Sequence, residues 1–450
     1  MLHPAVLVLA LLATVLIVAL PRRYVVLPVM VATFLIPIGQ EIYLAGVHLY
    51  IVRLLVLVAF IRAMALRKPN HTLLYAGGWN SVDTAFVCYV VISAVATIVL
   101  YYNVEAVINQ VGYLWDYLFG YLLLRSLIRN ANDAVLVIKC FAGLMVILGV
   151  AMLIEQIKVV NVFGLLGGIN ATPELRDGKI RSQAVFQHPL TAGTFASIAV
   201  PLFLILWKER DAKLLASAGL VASTVMTITT QTSTCLLTYA AGILAIFAWF
   251  LRKKMKMVRI TAVGTLVCLH LLMKAPVWFI ISRIDLTGSS SSYHRAELID
   301  QFVNHFGNWW LCGTKDSAKW GWSMWDVQNM YVSSGETGGL AALVAFVLVI
   351  SRCFSKVGRA RSTARSTKQE WFLWLLGAAL FANAVAFFGV NYFDQLRMAW
   401  FALISTICAC TVSTQSHKRS SRPTNVSINM KRLHPLHVIA KTTYTERTIR

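Results

Sequence analysis

Residues 84–102 read TAFVCYVVISAVATIVLYY, a run of 19 positions without a charged side chain. Wound as an α-helix such a run is roughly 28 Å long, close to the hydrocarbon thickness of a bilayer. Lipid offers no partner to backbone N–H and C=O groups, so a helix that bonds them internally is the expected form. Similar runs extend outward from this one in both directions, near 2–20, 24–39, 43–65, 109–127, 134–154, 191–207, 213–230, 235–251, 260–282, 331–351, 371–390 and 396–413. Ten-residue segments of alternating polarity, the mark of a membrane β-barrel, do not occur. Over 450 residues the chain is 58% hydrophobic and 13% charged, about half the charge of a soluble domain. The expectation is an all-α polytopic membrane protein, a bundle of about 12–13 transmembrane helices with two long outer-side loops.

The formal charge of +22 invites a nucleic-acid partner, but its distribution argues against one. One set of connections holds Arg22-Arg23, Arg62 to Lys68, Arg125 to Arg129, Lys208 to Lys213, Arg252 to Arg259 and Arg352 to Lys368. The alternate set, Gln40-Glu41, Asn103 to Glu105, Thr230 to Thr234 and Asn391 to Asp394, carries no Lys or Arg. The positive-inside rule puts the first set in the cytoplasm, with the N-terminus outside. The transmembrane domain then covers 1–413. Residues 414–450, with Lys418, Arg419, Arg422, Lys431 and Arg432, form a basic cytoplasmic tail near anionic lipid. The first run lacks a basic leader and is followed by Arg22 and Arg23, which reads as a retained span. Six of the eight cysteines lie in apolar runs, Cys353 at a basic helix end, and only Cys312 in a long loop. Neither a disulfide framework nor a CxxC metal pattern is present.

Two longer connections, about 155–190 and 283–330, fall on the outer side and break the charge rule. They carry Arg176, Lys179 and Arg181, then Arg283, Arg295, Lys315 and Lys319. Long loops translocate regardless of charge, so these cations are either incidental or a site for an anionic ligand. Trp309, Trp310, Trp320, Trp322 and Trp325 crowd the second loop. Indoles favour membrane interfaces and also stack on the apolar faces of sugar rings. No nucleotide-binding, zinc-protease or serine-hydrolase motif occurs in a credible context, and the outer loops hold no DxD-like pair, so metal-independent chemistry without a cofactor is expected. Inside the spans, Arg53 and Asp116 sit at similar depth. Unpaired charges there would cost a few kcal/mol each, so both should face the bundle interior and pair.

The segment from Arg181 through Phe186, Gln187, His188 and Pro189, leading straight into a span, resembles a motif of the O-antigen ligase and polymerase superfamily. Tyr293-His294-Arg295-Ala296-Glu297 is similar to that family's arginine segment. Gln328-Asn329-Met330-Tyr331, followed by Gly335-Glu336-Thr337-Gly338-Gly339, resembles its His-Asn and Glu-Thr-Gly stretch. The order, spacing and long outer loop agree over residues 84–413. The chain departs in having Gln328 where the family has His, Ser233-Thr234 where it has Ser-Arg, and an extra first span.

The resemblance implies glycan transfer at the outer face of the bacterial inner membrane. The donor would be a lipid-diphosphate-linked oligosaccharide and the acceptor a sugar hydroxyl. Partners would be the growing glycan, membrane lipids, chain-length regulators and export proteins. Cations must hold the diphosphate, and a base must take the hydroxyl proton. Arg181 and Arg295 are the first candidates for the cation, with Arg397 behind them unless it is an interfacial anchor. Gln328, Asn329 and Tyr331 are candidates for substrate contact. His188, His294, Asp326 and Glu336 are candidates for the base, with a helix cap the alternative for Glu336. Polymerisation of repeat units is the leading expectation. A ligase moving a finished glycan to another acceptor, and a lipid-linked glycan flippase, are the rivals.

Overall fold

The computed structural model describes residues 2–44, 47–65, 74–284 and 291–420. Helices dominate, and among the described residues seven are long and apolar enough to cross a membrane. This is an all-α, multi-pass membrane architecture. The shorter α1 (Pro4–Ala19) shows how its surface is divided. Only Val6, Ala10, Ala13 and Ile17 are buried, spaced to form one narrow stripe, while Leu11, Leu12, Val15 and Val18 are exposed. A helix apolar all round and buried on one stripe has lipid, not water, as its solvent.

After α2 (Val26–Leu35) the chain departs from the expected span at 43–65. Strand β1 (Glu41–Leu44) pairs antiparallel with β2 (Val47–Tyr50), in the register Glu41↔Tyr50 to Leu44↔Val47, and helix α3 (Ile51–Ala65) begins only then. The sequence here alternates Glu41-Ile42 and His48-Leu49 with period two around Ala45-Gly46, a strand pattern inside an apolar stretch. Helix α4 (Ser81–Tyr101) opens on a reciprocal capping box between Asn80 and Asp83. Helices α5 (Val104–Leu114) and α6 (Gly120–Leu127) are joined by a π-turn, Trp115–Phe119, and α7 runs Ala131–Lys158. Helices α8 (Pro189–Leu206), α9 (Lys213–Thr229), α10 (Ser233–Phe247) and α11 (Met255–Leu272) follow. Helix α8 is the hub: every residue of it but Leu204 is buried, and α7, α9, α10 and α15 (Thr367–Ala386) pack around it.

Most of the basic connections meet at one end of the bundle. Arg22 donates to the Leu127 carbonyl at 2.8 Å and pairs with Asp133 at 3.4 Å, while Lys139 pairs with Asp211 at 2.7 Å. Arg361 and Arg252 share Glu370 at 3.3 and 3.6 Å. Arg125, expected in a loop cluster, is instead fully buried in α6, its guanidinium 3.0 Å from the equally buried Asp83. The Tyr121 hydroxyl donates to the same carboxylate at 2.5 Å.

The opposite end holds the two long connections, and their described residues are folded rather than open. In the first, β3 (Glu174–Arg176) and β4 (Lys179–Arg181) form a hairpin. Its turn, Asp177-Gly178, has positive φ at both positions (51° and 73°), as a type I′ turn requires. In the second, α12 (Ser291–Asn304) and α13 (Phe306–Trp309) precede α14 (Met330–Ser362) and enclose a small apolar core of their own. That core is Leu298, Phe302, Trp309, Trp320, Met324 and Val332, with Phe302 and Trp309 stacked at 3.9 Å. Helix α14 breaks at Gly339, where φ is 69°, and a Cβ would lie 2.5 Å from the Leu311 carbonyl oxygen. The break lets Leu340 N–H reach the Trp310 carbonyl at 2.8 Å, fastening the folded connection to the bundle. The last helix, α16 (Asp394–Ser420), packs on α6. The tail proposed from sequence lies outside the described residues from 421 onward.

Candidate functional site

A cavity of about 720 Å³ opens at the end that carries the two folded connections. Stretches far apart in sequence line it. The hairpin and the residues before α8 bring Glu174, Arg176, Arg181 and His188, and the α9–α10 turn brings Gln231 and Thr232. Helix α12 adds Tyr293, His294, Arg295 and Glu297, and the chain before α14 adds Trp322, Ser323, Asp326 and Gln328. Six of the ten residues singled out from the sequence therefore meet here: Arg181, His188, His294, Arg295, Asp326 and Gln328.

Arg181 is held on three sides. It donates to the Thr230 carbonyl at 3.3 Å and the Thr232 hydroxyl at 2.9 Å, and pairs closely with Glu174. Arg295 is only 6% exposed. Burial, reinforced by the nearby Arg176 and Arg181 cations and opposed by Cys235 and then Asp326, draws its guanidinium down to about 10. Gly389 allows this approach: a Cβ there would meet Thr234 at 2.6 Å and the Arg295 Nε at 3.2 Å. Three guanidinium groups thus share one cavity against three carboxylates, Glu174, Glu297 and Asp326.

The two histidines differ in what their rings can do. The Nδ1 of His188 accepts the Leu190 backbone N–H at 3.1 Å, capping α8, so the proton of the neutral ring sits on Nε2. That Nε2 faces Glu174 at 3.6 Å. Burial holds His188 below the usual histidine range despite the pull of Glu174. The ring is a cap and a donor, poorly placed as a base. His294 has the opposite tautomer logic. Its Nε2 lies 3.3 Å from the Asp326 carbonyl oxygen, which only an N–H can satisfy, so Nδ1 carries the lone pair. Gln328 donates to the Asp326 carboxylate at 2.9 Å, tying that side chain in place. An amide in this position orients Asp326 but exchanges no proton.

The other four sequence candidates lie elsewhere. Asn329 caps α14, accepting from Tyr331 and Val332 N–H at 2.9 and 3.1 Å, and Tyr331 donates to the Ala384 carbonyl at 3.0 Å. Both brace the helix beside the cavity. Glu336 is neither a cap nor a lining residue. Its carbonyl accepts Thr314 N–H at 2.9 Å just before the Gly339 break. Arg397 lines a second cavity of about 370 Å³ with Arg53 and Asp116. There Arg53 grips Asp116 through two bonds of 2.7 and 2.8 Å, the expected pairing, and Arg397 reaches the same carboxylate at 3.5 Å.

The tryptophans divide between packing and exposure. Trp309 and Trp320 are buried in the small core, Trp310 and Trp325 are exposed, and Trp322, 89% exposed, stands at the rim of the first cavity. Sequence reasoning missed Glu174, although the Asp177-Gly178 pair three residues on is a hairpin signal that would have placed it opposite Arg181. Among the described residues no group of three or more His, Cys, Asp or Glu is arranged to hold a metal ion. No protein-family model and no curated protein matches the chain.

Proposed function

We propose that this protein transfers a glycan from a lipid-diphosphate carrier to a sugar hydroxyl at the outer face of a bacterial inner membrane, extending a polysaccharide by repeat units. One observation carries the reading. Two segments singled out for their likeness to the O-antigen ligase and polymerase superfamily, one holding Arg181 and His188 and the other Tyr293, His294, Arg295 and Glu297, line one cavity rich in arginine. In this reading the chain crosses the membrane about thirteen times, with the cavity end outside and the basic end in the cytoplasm.

Arg176, Arg181 and Arg295 hold the diphosphate, with forked guanidinium geometry suited to its oxygens. The acceptor hydroxyl oxygen attacks the anomeric carbon as the bond from that carbon to the diphosphate oxygen breaks. The bonding pair leaves with the diphosphate, whose growing charge the arginines stabilise. The hydroxyl proton passes to Nδ1 of His294, whose other nitrogen is fixed by the Asp326 carbonyl. Phosphate displaces Glu174 from Arg181 on binding.

The test is turnover by purified protein in liposomes supplied with lipid-linked repeat unit alone. A ladder of longer lipid-linked glycans, lost in Arg181→Ala and Arg295→Ala while both variants remain folded, is the expected result. Folded wild type that makes no ladder until a second acceptor is added would make it a ligase. Movement of the donor across the bilayer with no new linkage would make it a flippase.

A further inference from the structure

The second cavity is built from different parts of the chain and has a different chemistry. Arg53 of α3, Asp116 of the π-turn and Arg397 of α16 form a shared ion pair in its wall. The rings of Tyr50 and Tyr117 lie beneath the two guanidiniums at 4.8 and 5.2 Å. Asp116 spends both its oxygens on these arginines, and Asp394 adds a second carboxylate to the same cavity, so two cations face two carboxylates rather than standing bare as a phosphate clamp.

What remains unsatisfied is neutral or acceptor in kind. Among the described residues, Trp115 Nε1, Asp394 Oδ2 and Gln395 Oε1 are buried without a hydrogen-bond partner in the protein, and all three residues line this cavity. Gln395 is 1% exposed, and its amide nitrogen is already directed at the Ile36 carbonyl at 3.4 Å. Buried polar atoms in folded proteins are nearly always paired, so three among the residues lining one cavity point to a ligand. Two acceptors and one donor call for a molecule that both donates and accepts. Asn109 and Gln187 supply further amides, and Tyr113 and Trp115 a ring surface.

We infer that this second cavity binds a neutral, hydroxyl-rich ring, a single sugar unit of a glycan. Sugar hydroxyls match the mixed donor and acceptor set, and the aromatic lining suits the apolar face of a pyranose. A phosphate would meet the Asp394 carboxylate and the Gln395 carbonyl with acceptors against acceptors. Gln187 lines this cavity while the adjacent His188 lines the first, so one short segment forms the wall between them. On the glycan-transfer reading, the second cavity is therefore an acceptor-side subsite, holding a sugar unit of the attacking glycan beside the donor.

The test is saturation-transfer NMR on the full chain in nanodiscs, with methyl glycosides of a neutral hexose, a 6-deoxyhexose and an N-acetylhexosamine. At least one glycoside should bind, unaffected by saturating pyrophosphate. Binding should weaken by about fivefold or more in Trp115→Phe, which removes the indole N–H but keeps an aromatic ring, and in Gln395→Met, which removes the amide at similar size. Arg295→Ala, in the first cavity, should leave it intact. Failure of all three glycosides to bind, binding unchanged in both variants, or displacement by pyrophosphate would each overturn the inference. Glycoside binding without any glycan turnover would uphold the sugar site and overturn the transfer reading. Turnover without glycoside binding would do the reverse.

Discussion

Both cavities contain arginine, yet they treat it in opposite ways. In the second, Asp116 takes Arg53 by two bonds and Arg397 by a third contact, and with Asp394 in the same lining two carboxylates stand against two arginines. In the first, Arg176, Arg181 and Arg295 press on one another electrostatically, and the partly exposed Glu174 is the closest counter-ion of Arg181. A count of arginines therefore says little about where an anion goes. What decides is which cations keep an exchangeable partner and which have a fixed one.

Four substitutions would sharpen or break that contrast. The largest effects belong to the first cavity. His294→Ala should lower turnover by about a hundredfold or more, as expected for loss of a positioned base, with donor affinity little changed in a titration of the lipid-linked substrate. Equal turnover in the variant would remove His294 from the chemistry. Next, Asp116→Ala should leave two partly buried arginines facing one another and destabilise the fold by on the order of 3 kcal/mol. Thermal unfolding in detergent would read this as a clear drop in Tm, and an unchanged Tm would mean the ion pair is not structural.

A smaller effect, of opposite sign, is expected at Glu174. Glu174→Gln removes the charge that competes for Arg181, so pyrophosphate should bind about twofold to fivefold more tightly by calorimetry. Weaker binding would show that Glu174 positions Arg181 rather than competing with ligand. The smallest effect concerns pH. Burial lowers the pKa of His188 from its usual 6.5, so the unfolded chain binds this proton more readily than the folded one. The stabilisation from the neutral cap is therefore complete above about pH 6.5 and is lost as pH falls through the lower folded value. His188→Asn keeps an acceptor for the Leu190 N–H but does not titrate, so its Tm should fall less than that of wild type between pH 7 and pH 5. Parallel Tm curves would exclude this role.

The apolar stretches were legible because length and lack of charge are local properties, and 84–102 needs no neighbour to be read as a span. The Arg53–Asp116 pair was legible for a related reason: two charges at one depth in lipid have few alternatives to each other. The β1–β2 hairpin escaped because its residues are as apolar as the helix that follows, and an apolar average hides a period of two. Arg125 escaped because a basic residue near a helix end looks like a loop cation until Asp83, 42 positions away, is found beside it. The folding of 291–309 into two helices is not legible in the sequence, because an interface or sugar-stacking role accounts for loop tryptophans such as Trp309 and Trp320 as well as a core does, and both are core. In the site, the cations and histidines were found by type, but their division between two cavities depends on which connections meet. Glu336 shows the limit of motif reading, since its stretch is needed for the glycine break that docks the second connection rather than for the cavity.

The central claim is that the first cavity, not the second, holds the lipid diphosphate. A photoreactive lipid-diphosphate analogue, crosslinked to the full-length protein in nanodiscs and mapped by mass spectrometry, tests it directly. The account predicts adducts on both residues 174–188 and residues 291–297, lost together when excess pyrophosphate is added. Adducts confined to residues 109–116 and 394–398, or unchanged by pyrophosphate, would contradict it.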